Sequence, residues 1–254
     1  MSARLRVAVV GAAGRMGRTA CAAVEAAPDL ELVARVGRAD AVADAVAAGA
    51  DVAVELSVPD AAPGHVAELV AAGVCVVVGT TGWDEPALEA VRAQLAAPGT
   101  PPGVGVLVAP NFALGAVLLM RLAAQAAPWF ESVEVVELHH PAKVDAPSGT
   151  AVRTAELLAA ARQDAGRAPG PDATATALDG ARGASVAGVP VHSVRLRGLT
   201  ASQEVLLGNP GEVLSLRHDA ADREAFMPGL LLGVRRVREH PGLTVGLEHY
   251  LDQG

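Results

Sequence analysis

Residues Leu5–Val10 (LRVAVV) form a short buried-strand pattern that runs directly into Gly11-Ala12-Ala13-Gly14-Arg15-Met16-Gly17, and an alanine-rich helical pattern follows to about residue 27. Few architectures accept this order. Glycine permits a tight turn and lets another backbone, or a ligand, come close. The first amides of the helix after the turn have no partner within the helix, so they suit a pyrophosphate. Strand, glycine turn and helix in succession make a dinucleotide-binding opening. The spacing here is GxxGxxG rather than GxGxxG. Gly11, Ala12, Ala13, Gly14, Arg15 and Met16 are therefore the first candidate cofactor contacts.

The alternation continues. Residues 30–36 (LELVARV), 51–56 (DVAVEL), 74–78 (VCVVV) and 104–108 (VGVLV) read as further strands, with a helix over about 59–72. Strands alternating with helices at this interval imply a doubly wound parallel sheet. Such sheets bind ligands beyond the carboxyl ends of their strands, which adds Gly79, Thr80 and Thr81 of the GTTG turn to the candidates. A plain tight turn is the alternative there. The fifth strand ends in Ala109-Pro110-Asn111-Phe112, where Asn111 offers amide donors and acceptors and Phe112 an apolar wall for a flat ring. The second strand lacks the terminal carboxylate that usually holds the ribose hydroxyls of NAD. It carries Arg35, Val36, Gly37 and Arg38 instead. That exchange favours a 2′-phosphate, hence NADPH over NADH, and Arg15 offers another cation. Arginines merely solvated at a strand end are the competing reading.

In the second half, residues 113–127 carry a helical apolar pattern, 134–138 (EVVEL) a strand, and 151–162 a helix. Residues 164–190, rich in Gly, Pro, Asp and Thr, read as a long loop with strand fragments. Residues 191–197, 203–207 and 213–218 look like successive antiparallel strands joined by glycine-bearing turns. The fold class expected is α/β: an N-terminal Rossmann-type doubly wound parallel sheet, then a C-terminal α+β domain with an open mixed sheet. Its edges and uncovered face make that second sheet the expected oligomer surface.

The most reactive run is residues 137–151, ELHHPAKVDAPSGTA. His139 and His140 leave a strand end together, and Pro141 turns the chain into a loop. Lys143 is the sole lysine among 20 lysines and arginines. Arginine stays protonated, whereas a partly buried lysine can pass on a proton, so chemistry explains the exception. Gly149 and Thr150 open the next helix and offer amides to a carboxylate. Adjacent histidines fit a metal site poorly, because zinc pairs need i, i+4 helical or separated strand positions. No metal is expected.

This run resembles the signature of the dihydrodipicolinate reductase family, whose members act as 4-hydroxy-tetrahydrodipicolinate reductases in bacterial lysine and diaminopimelate biosynthesis. The GTTG and APNF turns are similar to family turns on the nicotinamide side. The resemblance implies reduction of 4-hydroxy-tetrahydrodipicolinate by NADPH or NADH to tetrahydrodipicolinate with loss of water. It also implies His139 as general acid or base, Lys143 as proton donor, and His140, Gly149 and Thr150 as anchors of a small dicarboxylate. Proximity alone suggests that Asp145 orients Lys143 or His139. Where the family often carries another basic residue, this chain has Ala142. The family further implies a homotetramer built through the open sheet, and domains over 1–113 and 114–223 with residues 224–254 returning to the nucleotide domain.

Composition narrows the partners. A formal net charge of −8 disfavours nucleic acid and anionic membranes. The chain is 51% hydrophobic, yet its longest uncharged stretch, residues 93–120, is broken by Pro98, Pro101, Pro102, Pro110 and several glycines, so no spanning helix is expected. The apolar run near the N-terminus is too short for a secretory signal. Two isolated cysteines make no disulfide framework, and a reducing cytoplasm is the expected location. Two rival functions remain: another reductase of the same fold acting on a small amino or keto acid, and a non-catalytic dinucleotide sensor.

Overall fold

A computed structural model describes residues 3–251. Two compact units divide the chain, Met1–Ala113 with Arg223–Gly254, and Leu114–Asp222. In the first, β1 (Leu5–Val10), α1 (Arg15–Ala26), β2 (Leu30–Val36), α2 (Ala43–Ala47) and β3 (Val52–Glu55) alternate. They are followed by α3 (Ala62–Ala71), β4 (Cys75–Val78), α4 (Glu85–Leu95) and β5 (Gly105–Val108). Every residue of β3, β4 and β5 is buried. Continuous apolar strands of this kind suit a parallel sheet covered on both faces. Asp84 caps α4 by accepting the Ala87 amide at 3.0 Å, with Glu85 in the first turn. On one face Ala8, Val10, Ala53, Val76 and Val78 pack under Val66, Leu69 and Val70 of α3 and Leu88 and Val91 of α4.

The second unit contains α5 (Leu114–Ala126), β6 (Ser132–His139), α6 (Gly149–Asp164), β7 (Ala184–Val186), β8 (Val189–Arg195), β9 (Ala201–Asn209) and β10 (Glu212–Ala220). Its sheet runs β10-β9-β6-β8-β7. Val133 and Val135 of β6, Val205 and Leu207 of β9, and Val189 and Val191 of β8 form one core with Leu119, Ala123, Ala151, Ala155 and Leu158 of the two helices. On the opposite face Glu134, Val136, Leu138, Glu204 and Leu206 are only half-buried within the unit. The expected run of three antiparallel neighbours is corrected here. β9 and β10 do pair antiparallel, but β8 lies across β6, parallel to it, and β6 separates β8 from β9. The physical reason is that β6 has apolar residues on both faces, so a central place buries it better than an edge, and α6 supplies the crossover a parallel pair requires.

The chain then returns to the first unit through helical turns at Arg223–Phe226, α7 (Met227–Arg236), another turn at Val237–Glu239, and β11 (Gly242–Val245). β11 pairs parallel with β5, completing the sheet order β11-β5-β4-β3-β1-β2. α1 and α7 cover the second face of this sheet. Strand order reverses between β1 and β3, the position at which doubly wound sheets open a crevice for ligands. No helix among the described residues is long and apolar enough to cross a membrane.

Candidate active site

The glycine loop is built for close approach. Gly11 lies at φ +79°, and a Cβ there would sit 2.5 Å from the Leu56 carbonyl oxygen at the end of β3. Gly17 is tighter still, since its Cβ would meet the Gly11 carbonyl at 2.1 Å. The amides of Gly11 and Ala12 donate to the Val36 carbonyl at 2.9 and 3.1 Å, and Arg18 reaches back to the Ala13 carbonyl at 2.5 Å. Gly14 starts α1 without a side-chain cap, so the first-turn amides keep their capacity for an anion. A cradle that only glycine fits, at an uncapped helix start beside the switch point, is the right shape and polarity for a dinucleotide pyrophosphate. Gly17→Ala is expected to destabilise the protein by about 1–3 kcal/mol through overpacking and to weaken cofactor binding. Chemical unfolding and calorimetric titration check both effects.

Around this loop Ala13, Arg15 and Arg38 are exposed, and Met16 is half-buried. Arg35 is exposed too, but its guanidinium pairs with Glu25 at 2.5 Å. Asp40 turns inward to accept the Gly37 amide at 2.8 Å. On the other side of the switch point, Thr80 donates its hydroxyl to Glu55 and Thr81 is exposed. Ala109 is buried with its amide on the Val78 carbonyl at 2.9 Å, and Pro110 is exposed. Asn111 accepts the Ala113 amide at 2.8 Å through its side chain. The Phe112 ring is 4% exposed and lies so close to Gly79 that a Cβ there would meet it at 2.5 Å. It packs the two strand-end turns against each other.

In the second unit the reactive run is organised by a residue outside the expected set, Glu137. β-strand alternation puts Val133, Val135, Glu137 and His139 on the covered face of β6, where Glu137 is fully buried. Its two oxygens accept from Arg195 Nη1 and Nη2 at 2.8 Å each, from His139 Nδ1 at 2.5 Å, and from the Ser148 amide at 3.2 Å. Burial alone would push this carboxyl up, but Arg195, Ser193 and His139 together outweigh it and hold Glu137 below the ordinary carboxylate value. Burial pushes His139 down, the Glu137 hydrogen bond opposes that, and the charges of Lys143 and Arg195 depress it further. The net result is a neutral imidazole near neutral pH. Because a carboxylate only accepts, the proton sits on Nδ1 and Nε2 is left as the acceptor nitrogen.

A turn closed by the Lys143 amide on the His140 carbonyl, 3.2 Å, brings Lys143 back beside His139. Its ammonium pairs with Asp145 at 2.7 Å. Hydrogen bonding to Lys143 is the main cause of a lowered Asp145 carboxyl, and the Gly149 backbone adds to it. Asp145 thus ties the lysine to the start of α6, which Ser148 caps by accepting the Ala151 amide at 3.2 Å. His139, Lys143 and Gly149 meet around this turn, the last through Asp145, while Thr150 is half-buried in the first turn of α6 and His140 is exposed just past the strand. Two residues escaped sequence reasoning. Glu137 had a signal, since it stands two positions before His139 on the same face. Arg195 had none, because only the β6–β8 pairing places it opposite His139. Elsewhere in the unit Arg162 is buried, but its guanidinium is taken up by the carbonyls of Ala127, Phe130, Glu131 and Ala168 and serves packing.

Two family models cover nearly all of the described chain: dihydrodipicolinate reductase, N-terminus, over residues 5–112, and dihydrodipicolinate reductase, C-terminus, over residues 115–251. The chain belongs to the dihydrodipicolinate reductase family. Within it, the 4-hydroxy-tetrahydrodipicolinate reductase of Streptomyces coelicolor is 62% identical over 249 residues, 98% of each chain. That of Corynebacterium efficiens is 52% identical over 248 residues, 98% of this chain and 99% of its own. A dipicolinate-bound dihydrodipicolinate reductase from Paenisporosarcina sp. TG-14 superposes with a TM-score of 0.85 at 35% identity, covering 97% of this chain and 99% of that one. An engineered D-amino acid dehydrogenase bound to NADP+, at 16% identity and a TM-score of 0.56, shares the fold alone.

Proposed function

We propose that this chain reduces 4-hydroxy-tetrahydrodipicolinate to tetrahydrodipicolinate, with NADPH preferred over NADH, as a step of lysine and diaminopimelate biosynthesis. The observation that carries the reading is the buried Glu137, paired with Arg195 and holding a neutral His139 beside the chain's sole lysine, within a family of nicotinamide-dependent reductases. Bound NAD(P)H supplies the hydride, the substrate's hydroxyl leaves as water, and one proton completes the balance. The protein's own residues bind, orient and move that proton. Lys143, charged and held by Asp145, is the donor. His139 accepts or returns a proton through Nε2, with Glu137 fixing its tautomer. His140, Gly149 and Thr150 anchor the substrate carboxylates, the last two through the start of α6.

Gly11 to Met16 hold the pyrophosphate, Arg35 the 2′-phosphate, and Gly79 to Thr81 with Ala109 to Phe112 the nicotinamide end. Arg35 must exchange Glu25 for the phosphate. Both pair partners are about half exposed, and exposed pairs are weak, so the exchange costs little. The Michaelis constant for NADPH is expected to lie below that for NADH. Equal values, or the reverse order, would remove the 2′-phosphate assignment. The open face of the second sheet assembles the homotetramer, and the enzyme works in the cytoplasm. The reaction itself is tested by forming the unstable substrate in situ with the preceding synthase and following NADPH absorbance. No decay above the synthase-free control would overturn the proposal.

A further inference from the structure

Three loops that the proposed function gives to the cofactor converge on one short segment at the end of β3. Gly11 of the glycine loop packs against the Leu56 carbonyl and the Ser57 nitrogen. Gly79 of the GTTG turn lies so close to the Leu56 side chain that a Cβ would meet it at 2.8 Å, with the Phe112 ring of the APNF turn on the same spot. The preceding residue, Glu55, is completely buried in a strand otherwise made of Val and Ala. Its carboxylate faces donors only. Oε1 accepts from the Ser57 hydroxyl and from His65 Nδ1 at 3.0 Å, Oε2 accepts from the Thr80 hydroxyl, and the Ser57 amide approaches both oxygens at 3.3 and 3.4 Å.

A buried carboxylate is a poor way to gain stability, because an apolar residue of similar size often serves as well or better. Glu55 therefore needs another reason, and its partners supply one. It is the side chain that ties the end of β3 to Thr80, across the carboxyl edge of the sheet, while His65 braces it from α3. We propose that Glu55 is a positioning residue for the cofactor: it fixes the GTTG turn relative to the glycine loop through the Thr80 hydroxyl, without touching the dinucleotide. The inference rests on the proposed function and extends it to a residue outside the binding loops. It also assigns the Thr80 hydroxyl an inward role and leaves that turn's backbone to the ligand.

The test uses the full chain and NADPH, with Kd from calorimetric titration, steady-state kinetics and thermal melting. Glu55→Gln turns one acceptor into a donor that faces donors, and Thr80→Val removes the hydroxyl. Each is expected to raise Kd and KM for NADPH about tenfold, the scale of one hydrogen bond to a charged group, with kcat at saturation changed far less. The double variant is expected to be no worse than the single ones, since both break the same link, and Thr80→Ser is expected to bind as wild type does. Unchanged Kd in either folded single variant, or fully additive effects in the double variant, would overturn the inference. Should Glu55→Gln fail to fold, Thr80→Val against Thr80→Ser decides: weak binding restored by serine supports the link, and wild-type binding in both refutes it. Failure of the wild-type chain to bind NADPH would instead strike the proposed function, so the two failures are separable.

Discussion

Lys143→Ala is expected to lower kcat by about two orders of magnitude, the usual contribution of a positioned proton donor, with a smaller change in KM. The lysine is paired with Asp145 at a partly exposed turn, so its removal leaves no buried charge unpaired and stability should hold. Lys143→Arg should be nearly as slow, because arginine keeps the charge but does not release its proton. His139→Ala is expected to fall by a similar factor. Initial rates with substrate formed in situ check all three variants. Turnover close to wild type in Lys143→Ala and His139→Ala would remove both from the chemistry.

Glu137→Ala should damage both stability and turnover. The substitution takes the partner from a partly exposed Arg195 and leaves the Ser148 amide without its acceptor, a loss of about 1–3 kcal/mol. It also releases His139 from its tautomer, so turnover should fall even where the protein remains folded. Denaturant unfolding and kinetics at low temperature separate the two effects. The pH dependence has a definite sign. Glu137 is held below its ordinary value of 4.5, so its contribution is present above that pH and lost as pH falls through the folded value. His139 is depressed below 6.5, so the unfolded chain takes up its proton first and stability also falls with acidification below that pH. Wild-type stability should therefore decline from about pH 6.5 downwards, and Glu137→Ala should flatten the part of that decline below 4.5. A parallel acid limb in the variant would show that Glu137 is not its source.

By itself, the sequence determined everything that depends on short range and on periodicity. The strand–glycine–helix opening, the fully apolar β4 and β5, and the turn residues at 79–82 and 109–112 declare a doubly wound sheet, because local geometry and burial on both faces dictate those residue types. The run at 137–151 declares its chemistry in the same way, through reactive side chains crowded into fifteen positions. Tertiary structure alone decided what lies far apart in the chain. Nothing near β8 shows that it pairs with β6 in parallel, and so nothing marks Arg195 as the partner of Glu137, 58 positions away. Nor does any local pattern join Glu55 to Thr80, 25 positions on. A buried carboxylate is read as an exposed charge until its donors are known, and the donors come from neighbouring strands whose register no single segment encodes.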